Sequence, residues 1–209
     1  MINYLPEFLT VAALHFLAVM SPGPDFVLIS RNSLAYSRKN GVYAALGLAL
    51  GIMVHVIYCL VGIGYIISKS ILIFSAIKLL GAGYLIYIGY KSLRAQPSKN
   101  DSTEVEHKDM GALASIKNGF LTDLLNPKTT LFFLALFTQV IKPNTPMAIK
   151  VAYGMEMSIM TFLWFAAVAI VLSHSRIKQP FTKVQHYMER FMGAALIVLG
   201  LKVALSKAK

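Results

Sequence analysis

Apolar residues in this chain are gathered into six long runs, covering roughly residues 5–30, 42–67, 71–90, 120–141, 148–173 and 191–205. A helix needs about 20 mostly apolar residues to cross about 30 Å of hydrocarbon. Four runs reach that length, the third reaches it only by including Lys78, and the sixth is short. The residues come in continuous stretches rather than in alternation, so each run is expected to be a membrane-spanning helix. Composition agrees: 56% of the 209 residues are hydrophobic, 14% are charged, and the mean hydropathy is +0.63. That is too apolar for an ordinary soluble domain.

The formal net charge of +11 does not point to nucleic acid, because the basic residues sit mostly between the apolar runs. Twelve occupy the first, third and fifth connections: Arg31, Arg38 and Lys39; Lys91, Arg94, Lys99, Lys108 and Lys117; Arg176, Lys178, Lys183 and Arg190. Six lie on the opposite side: Lys69, Lys142, Lys150, Lys202, Lys207 and Lys209. The positive-inside rule then puts both termini outside and the three basic connections in the cytoplasm. No Lys or Arg precedes Arg31, so the basic start of a cleavable signal peptide is missing. The single cysteine, Cys59, excludes an intramolecular disulfide and a multi-cysteine metal or redox site. No Gly-x4-Gly-Lys-Ser/Thr loop marks an ATPase, and nothing calls for a cofactor.

Two apolar runs are interrupted in the same way. The first carries "SPGPD" at 21–25 and the fourth "NPK" at 126–128. Proline removes a backbone donor and breaks a helix, which lipid tolerates only where the freed groups face protein, water or cargo. Further likeness follows: "KLLGAGYLIYIGYKSL" (78–93) aligns with "RFMGAALIVLGLKVAL" (190–205), pairing Lys78 with Arg190, Gly81 with Gly193 and Gly89 with Gly200. Two copies of three spans each must insert in opposite senses, the inverted-repeat plan of many secondary transporters. The expected organisation is therefore an all-α polytopic membrane protein of six transmembrane helices. Residues 1–93 and 118–209 are the two repeats, and the polar stretch 94–117 is a flexible cytoplasmic linker.

The ordered set of "SPGPDFVLISRNSLAYSRKNGVYAALGLALGIMVH" at 21–55, "IKLLGAGYLIYIGYKSLR" at 77–94 and "GFLTDLLNPKTTLFFLALFTQVI" at 119–141 resembles the LysE/RhtB family of amino-acid exporters. The resemblance covers most of the chain. It implies export of amino acids or small relatives, such as homoserine or threonine, across the bacterial inner membrane, driven by the proton gradient. One entering proton supplies roughly 2.3 kcal/mol per 100 mV and roughly 1.4 kcal/mol per pH unit.

The expected substrate and ion pathway comprises Pro22, Gly23, Pro24, Asp25, His55, Asn126, Pro127, Lys128 and Glu156. The broken helices would expose backbone groups to cargo, with Asn126 capping a half-helix whose N-terminus favours a carboxylate. Asp25 would bind an ammonium or a coupling proton, or else simply pair with Arg31. Glu156 lies within an apolar span, where an acid costs about 2.5–3.5 kcal/mol and marks function by default. Lys78, Asp123 and Arg190 are the candidate charge partners. Lys78 or Arg190 would pair with Glu156 or snorkel, and Asp123 would sit at the cytoplasmic mouth near Lys117. His55 shares a helical face with Gly47, Gly51 and Cys59. His55 and Cys59 alone make a poor metal site. Two rivals stay open: a metal-cation exporter of the same architecture, and an intramembrane enzyme using Ser158 near Glu156 or His55 with Cys59. The partners are small-molecule substrate, protons and lipid, with homo-oligomerisation left open.

Overall fold

The computed structural model describes the backbone of residues 4–21, 23–69, 71–94, 110–141 and 145–173, and of part of 187–205. Seven α-helices are delimited among them: α1 (Leu5–Met20), α2 (Pro24–Arg31), α3 (Arg38–Lys69), α4 (Ile71–Leu93), α5 (Ala112–Leu124), α6 (Pro127–Gln139) and α7 (Met147–Leu172). The described residues between 190 and 205 are also helical, and the described residues contain no strand. One π-helical turn, Asn32–Tyr36, joins α2 to α3.

The first and fourth apolar runs each become two helices. A bend of 56° separates α1 from the α2 segment, and Pro24 starts α2 at a position where its missing N–H costs nothing. The fourth run splits at Leu125–Asn126, and α5 begins upstream of it, at Ala112, so polar residues of the expected linker extend this element. Arg38–Gly62 and Met147–Leu172 are each long and apolar enough to cross a bilayer, and the bent α1–α2 pair makes a third such element among the described residues.

Helix α3 is the central strut. Gly47 and Gly119 let α3 and α5 touch backbone to backbone: a Cβ on Gly47 would strike the Ile116 carbonyl, and one on Gly119 the Ala44 carbonyl. Small residues at crossings are how membrane helices approach closely without a hydrophobic driving force. The same device joins α4 to the last helical residues, where Gly89 meets the Gly193 backbone and Gly200 meets the Ala82 carbonyl.

Two apolar clusters form the interior. One gathers Val11, Ile52, Val56, Phe133, Leu136, Tyr153 and Met157, among others. The other gathers Phe26, Ile29, Ala44, Leu48, Phe165, Val168 and Leu172. Each of the first broken helix, α3 and α7 passes from one cluster to the other. Between the clusters lies a layer of polar residues at the level of the helix breaks.

Candidate functional site

Breaking a helix strands carbonyls at the end of its first piece and N–H groups at the start of its second. In the second break, Asn126 caps α6: its side-chain oxygen accepts from the Lys128 backbone N–H at 3.0 Å. Its amide nitrogen donates to both carboxylate oxygens of Asp25, each at 3.2 Å. The Lys128 ammonium donates to the Ser21 carbonyl at 2.8 Å, closing the end of α1. Asp25 sits in the first turn of α2, where a helix N-terminus favours an acid. Asp123 and Lys128 line the same cavity as Asp25.

A second knot lies beside this one. His55 is fully buried. Its Nε2 is 3.1 Å from the Asp123 carbonyl and 3.4 Å from the Asp123 carboxylate, while its Nδ1 is 2.7 Å from the Tyr58 hydroxyl. Both ring nitrogens are therefore engaged, and His55 with Cys59 offers no open ligand pair. The face predicted from the spacing of Gly47, Gly51 and His55 is the one that meets α5. Gly51 makes room for Asp123, whose carboxylate would be 2.5 Å from a Cβ there. Among the described residues, no three His, Cys, Asp or Glu side chains converge as a metal-binding group.

Asp25, Asp123 and Lys128 of these groups border a cavity with a free volume of ≈ 30 Å³, which admits water but not an amino acid. Its lining includes Ser21, Gly23, Asp25, Asp123 and Lys128 together with His15, Phe132, Phe133, Thr161 and Phe165. The structure thus gathers Gly23, Asp25, His55, Asn126 and Lys128 at the paired breaks, with Pro24 and Pro127 opening the helices that carry them. Pro22 lies outside the described residues.

Three expectations are corrected. Asp123 does not sit exposed with Lys117: it is buried against His55, whereas Lys117 is exposed. Asp25 faces Asn126 rather than Arg31, which is exposed. Glu156 does not join the cavity. It lines a separate apolar groove of ≈ 810 Å³ with Phe8, Phe16, Met155, Leu163 and Trp164, and neither of its oxygens has a partner among the described residues. The physical reason is angular: on α7, Met157, Thr161, Phe165 and Val168 face inward, and Glu156 falls outside that stripe. Arg190 is exposed, and the Lys78 side chain lies outside the described residues.

Sequence reading passed over His15, Thr161 and Glu7. Glu7 is buried and accepts a hydrogen bond from Thr145 at 2.8 Å, at the far end of α1 from its break. The available signal was the one used for Glu156, a polar residue inside an apolar run.

The family model described as "LysE type translocator" matches residues 16–207. A threonine efflux protein of Salmonella typhimurium is 30% identical over 204 residues, covering 96% of this chain and 98% of the relative. The threonine efflux protein of Escherichia coli K12 matches over the same extent at 30% identity. An uncharacterized membrane protein of Bacillus subtilis, YrhP, is 31% identical over 196 residues, covering 90% of this chain and 93% of the relative. No solved structure matches the chain significantly.

Proposed function

The chain belongs to the LysE family of translocators, and from that premise we propose that it exports a small zwitterionic amino acid from the bacterial cytoplasm in exchange for protons. It is a membrane transporter, not an enzyme. The observation that carries the substrate class is the cross-connection of the two helix breaks, with Lys128 on the Ser21 carbonyl and Asn126 on Asp25. That pairing sets a cation and an acid side by side, as the carboxylate and ammonium of an amino acid require. Substrate entering the widened cavity exchanges these internal contacts for its own: its carboxylate takes Lys128 and the N–H groups at the start of α6, and its ammonium takes Asp25. The efflux function of the relatives supports the reading.

Asp25, together with the Asp123–His55 pair, is the proton-carrying element. It lies in the cavity wall, so substrate and proton compete for one carboxylate, and that competition is what couples opposed fluxes. Glu156 is set aside for this role because it lines the other groove.

The architecture we propose is six spans in two inverted repeats, 1–93 and 118–209, joined by the cytoplasmic linker 94–117, in the inner membrane with both termini outside. Contact exchange supports it. Under the sequence alignment, Gly89 corresponds to Gly200 and Gly81 to Gly193. The contact of Gly89 with Gly193 then maps onto one of Gly200 with Gly81, and Gly200 in fact packs on the adjacent Ala82. A two-fold relation between the repeats produces that exchange. Transport follows by rocking one repeat against the other about the breaks.

The test is uptake of a panel of radiolabelled amino acids into everted membrane vesicles with an acid interior. At least one should accumulate, and a protonophore should abolish the accumulation. If none accumulates, the substrate class is wrong; accumulation that survives the protonophore removes proton exchange alone.

A further inference from the structure

Apart from the residues at the paired breaks and Thr129, the cavity lining is aromatic and aliphatic with one exception. His15 on α1 and Thr161 on α7 face each other there, each about 1% exposed. The His15 Nε2 and the Thr161 hydroxyl are 3.4 Å apart, at the long end of hydrogen bonding. The His15 Nδ1 is buried and has no partner among the described residues. The ring is held in place by Phe132 and Phe133, whose centroids lie 6.2 and 6.0 Å away. A buried imidazole nitrogen left without a partner is costly, so this pair is a cost to the fold that packing alone does not explain.

We propose that His15 and Thr161 form a side-chain subsite that recognises a hydroxyl group on the exported amino acid. The inference rests on the reading of this cavity as the amino-acid pathway and adds to it which side chain is selected. A hydroxyl both donates and accepts. It therefore satisfies the open His15 nitrogen and the weakly engaged Thr161 oxygen together. The spacing suits a small substrate: His15 precedes Ser21 by six residues, about 9 Å along a helix. With the carboxylate at Lys128, which bonds Ser21, a three- or four-carbon amino acid places its hydroxyl near His15. Other side chains fit the wall worse. Hydrocarbon leaves the nitrogen stranded, and a site built to bond a hydroxyl rejects analogues that lack it far better than an apolar pocket rejects an extra one. A cationic side chain would need an acid, and the cavity's acids, Asp25 and Asp123, are held by Asn126 and His55.

The experiment is competition in everted vesicles carrying the full chain, with threonine, homoserine, valine, 2-aminobutyrate and glutamate as competitors. The parent should prefer threonine and homoserine to valine and 2-aminobutyrate by at least about tenfold. Thr161→Val, which keeps the shape and removes the hydroxyl, should collapse that ratio toward one, and His15→Phe should do the same. Thr161→Ser should restore it, which a merely structural role for Thr161 does not predict. A parent ratio near one overturns the subsite while leaving the exporter reading standing, as does an equal fall of threonine and valine transport in Thr161→Val. Glutamate competing better than threonine makes the wall an anion site and overturns the hydroxyl assignment. If the parent moves no amino acid at all, the exporter reading falls and takes the subsite with it.

Discussion

The two broken helices share a backbone plan and differ in chemistry. In each, an apolar helix stops, a proline opens the next piece, and a side chain from elsewhere donates to a carbonyl at the stop. Lys128 of α6 reaches Ser21 at the end of α1, and His55 of α3 reaches Asp123 at the end of α5. A basic group at a helix C-terminus is favourable in both places. The starts of the second pieces are opposites. The N-cap of α2 is Gly23, which has no side chain to offer, and the acid Asp25 follows in its first turn. The N-cap of α6 is Asn126, which caps with its own oxygen, and the cation Lys128 follows. A lysine in the first turn of a helix faces the positive end of the dipole and gains nothing there. What holds it is the first break. One break supplies acceptors and the other donors, so neither is complete alone, and a zwitterion is the kind of cargo that can take the place of each for the other.

The largest expected effect comes from removing the shared cation. Lys128→Met strips the Ser21 carbonyl of its donor and Asp25 of its counter-charge. Export per unit of inserted protein should fall by about two orders of magnitude, the kinetic weight of roughly 3 kcal/mol. The double variant with Asp25→Asn should recover thermal stability in detergent without recovering flux. Full flux in Lys128→Met would mean that the breaks are structural kinks.

The next effect separates the breaks by how they are held. Among the described residues, only the second is carried on a helix pressed backbone to backbone against α3. Gly119→Val should force α5 away from Ala44, destabilise the protein by about 1–3 kcal/mol, and show a lower melting temperature in detergent. Gly83→Ala is the control: a Cβ there meets nothing within 4 Å, and helix propensity predicts no loss. Equal behaviour of the two variants would refute the close α3–α5 crossing.

Asymmetry of the caps gives a smaller effect. Asn126→Ala loses a cap, worth about 1 kcal/mol, and also the donor to Asp25. Gly23→Ala loses neither, and its new Cβ lies at ordinary contact distance, 3.4 Å, from the Lys128 ammonium. Asn126→Ala should therefore lower both melting temperature and flux more than Gly23→Ala does. The reverse order would mean that the first break, not the second, sets the geometry.

Smallest of all should be Glu156→Gln. Its side chain lies outside the cavity, so proton-driven efflux should stay within about twofold of the parent. Asp25→Asn should lose the gradient-driven component and also weaken exchange of substrate for substrate, because it removes both the proton carrier and the partner of the substrate ammonium. If Glu156→Gln loses that component instead, the coupling acid sits in the outer groove.

Much of this was legible along the chain. Apolar length, the prolines of the two breaks, the Asn126 cap and the glycine face of α3 are local properties. Bilayer transfer acts residue by residue, proline acts on its own turn, and a helical face repeats every 3.6 residues. These features determined an all-helical membrane protein with two interrupted helices. What the tertiary structure decided is which groups meet across the interruptions. Lys128 and Ser21 are 107 residues apart, Asn126 and Asp25 are 101 apart, and His15 and Thr161 are 146 apart. No local rule links such positions; they are brought together by the glycine-lined crossing of α3 with α5 and by the inward stripe of α7. The same angular detail removed Glu156 from the cavity and admitted Thr161. An acid inside an apolar run reveals that it is costly to bury, but only the rotation of its helix against its neighbours decides which side of the protein it faces.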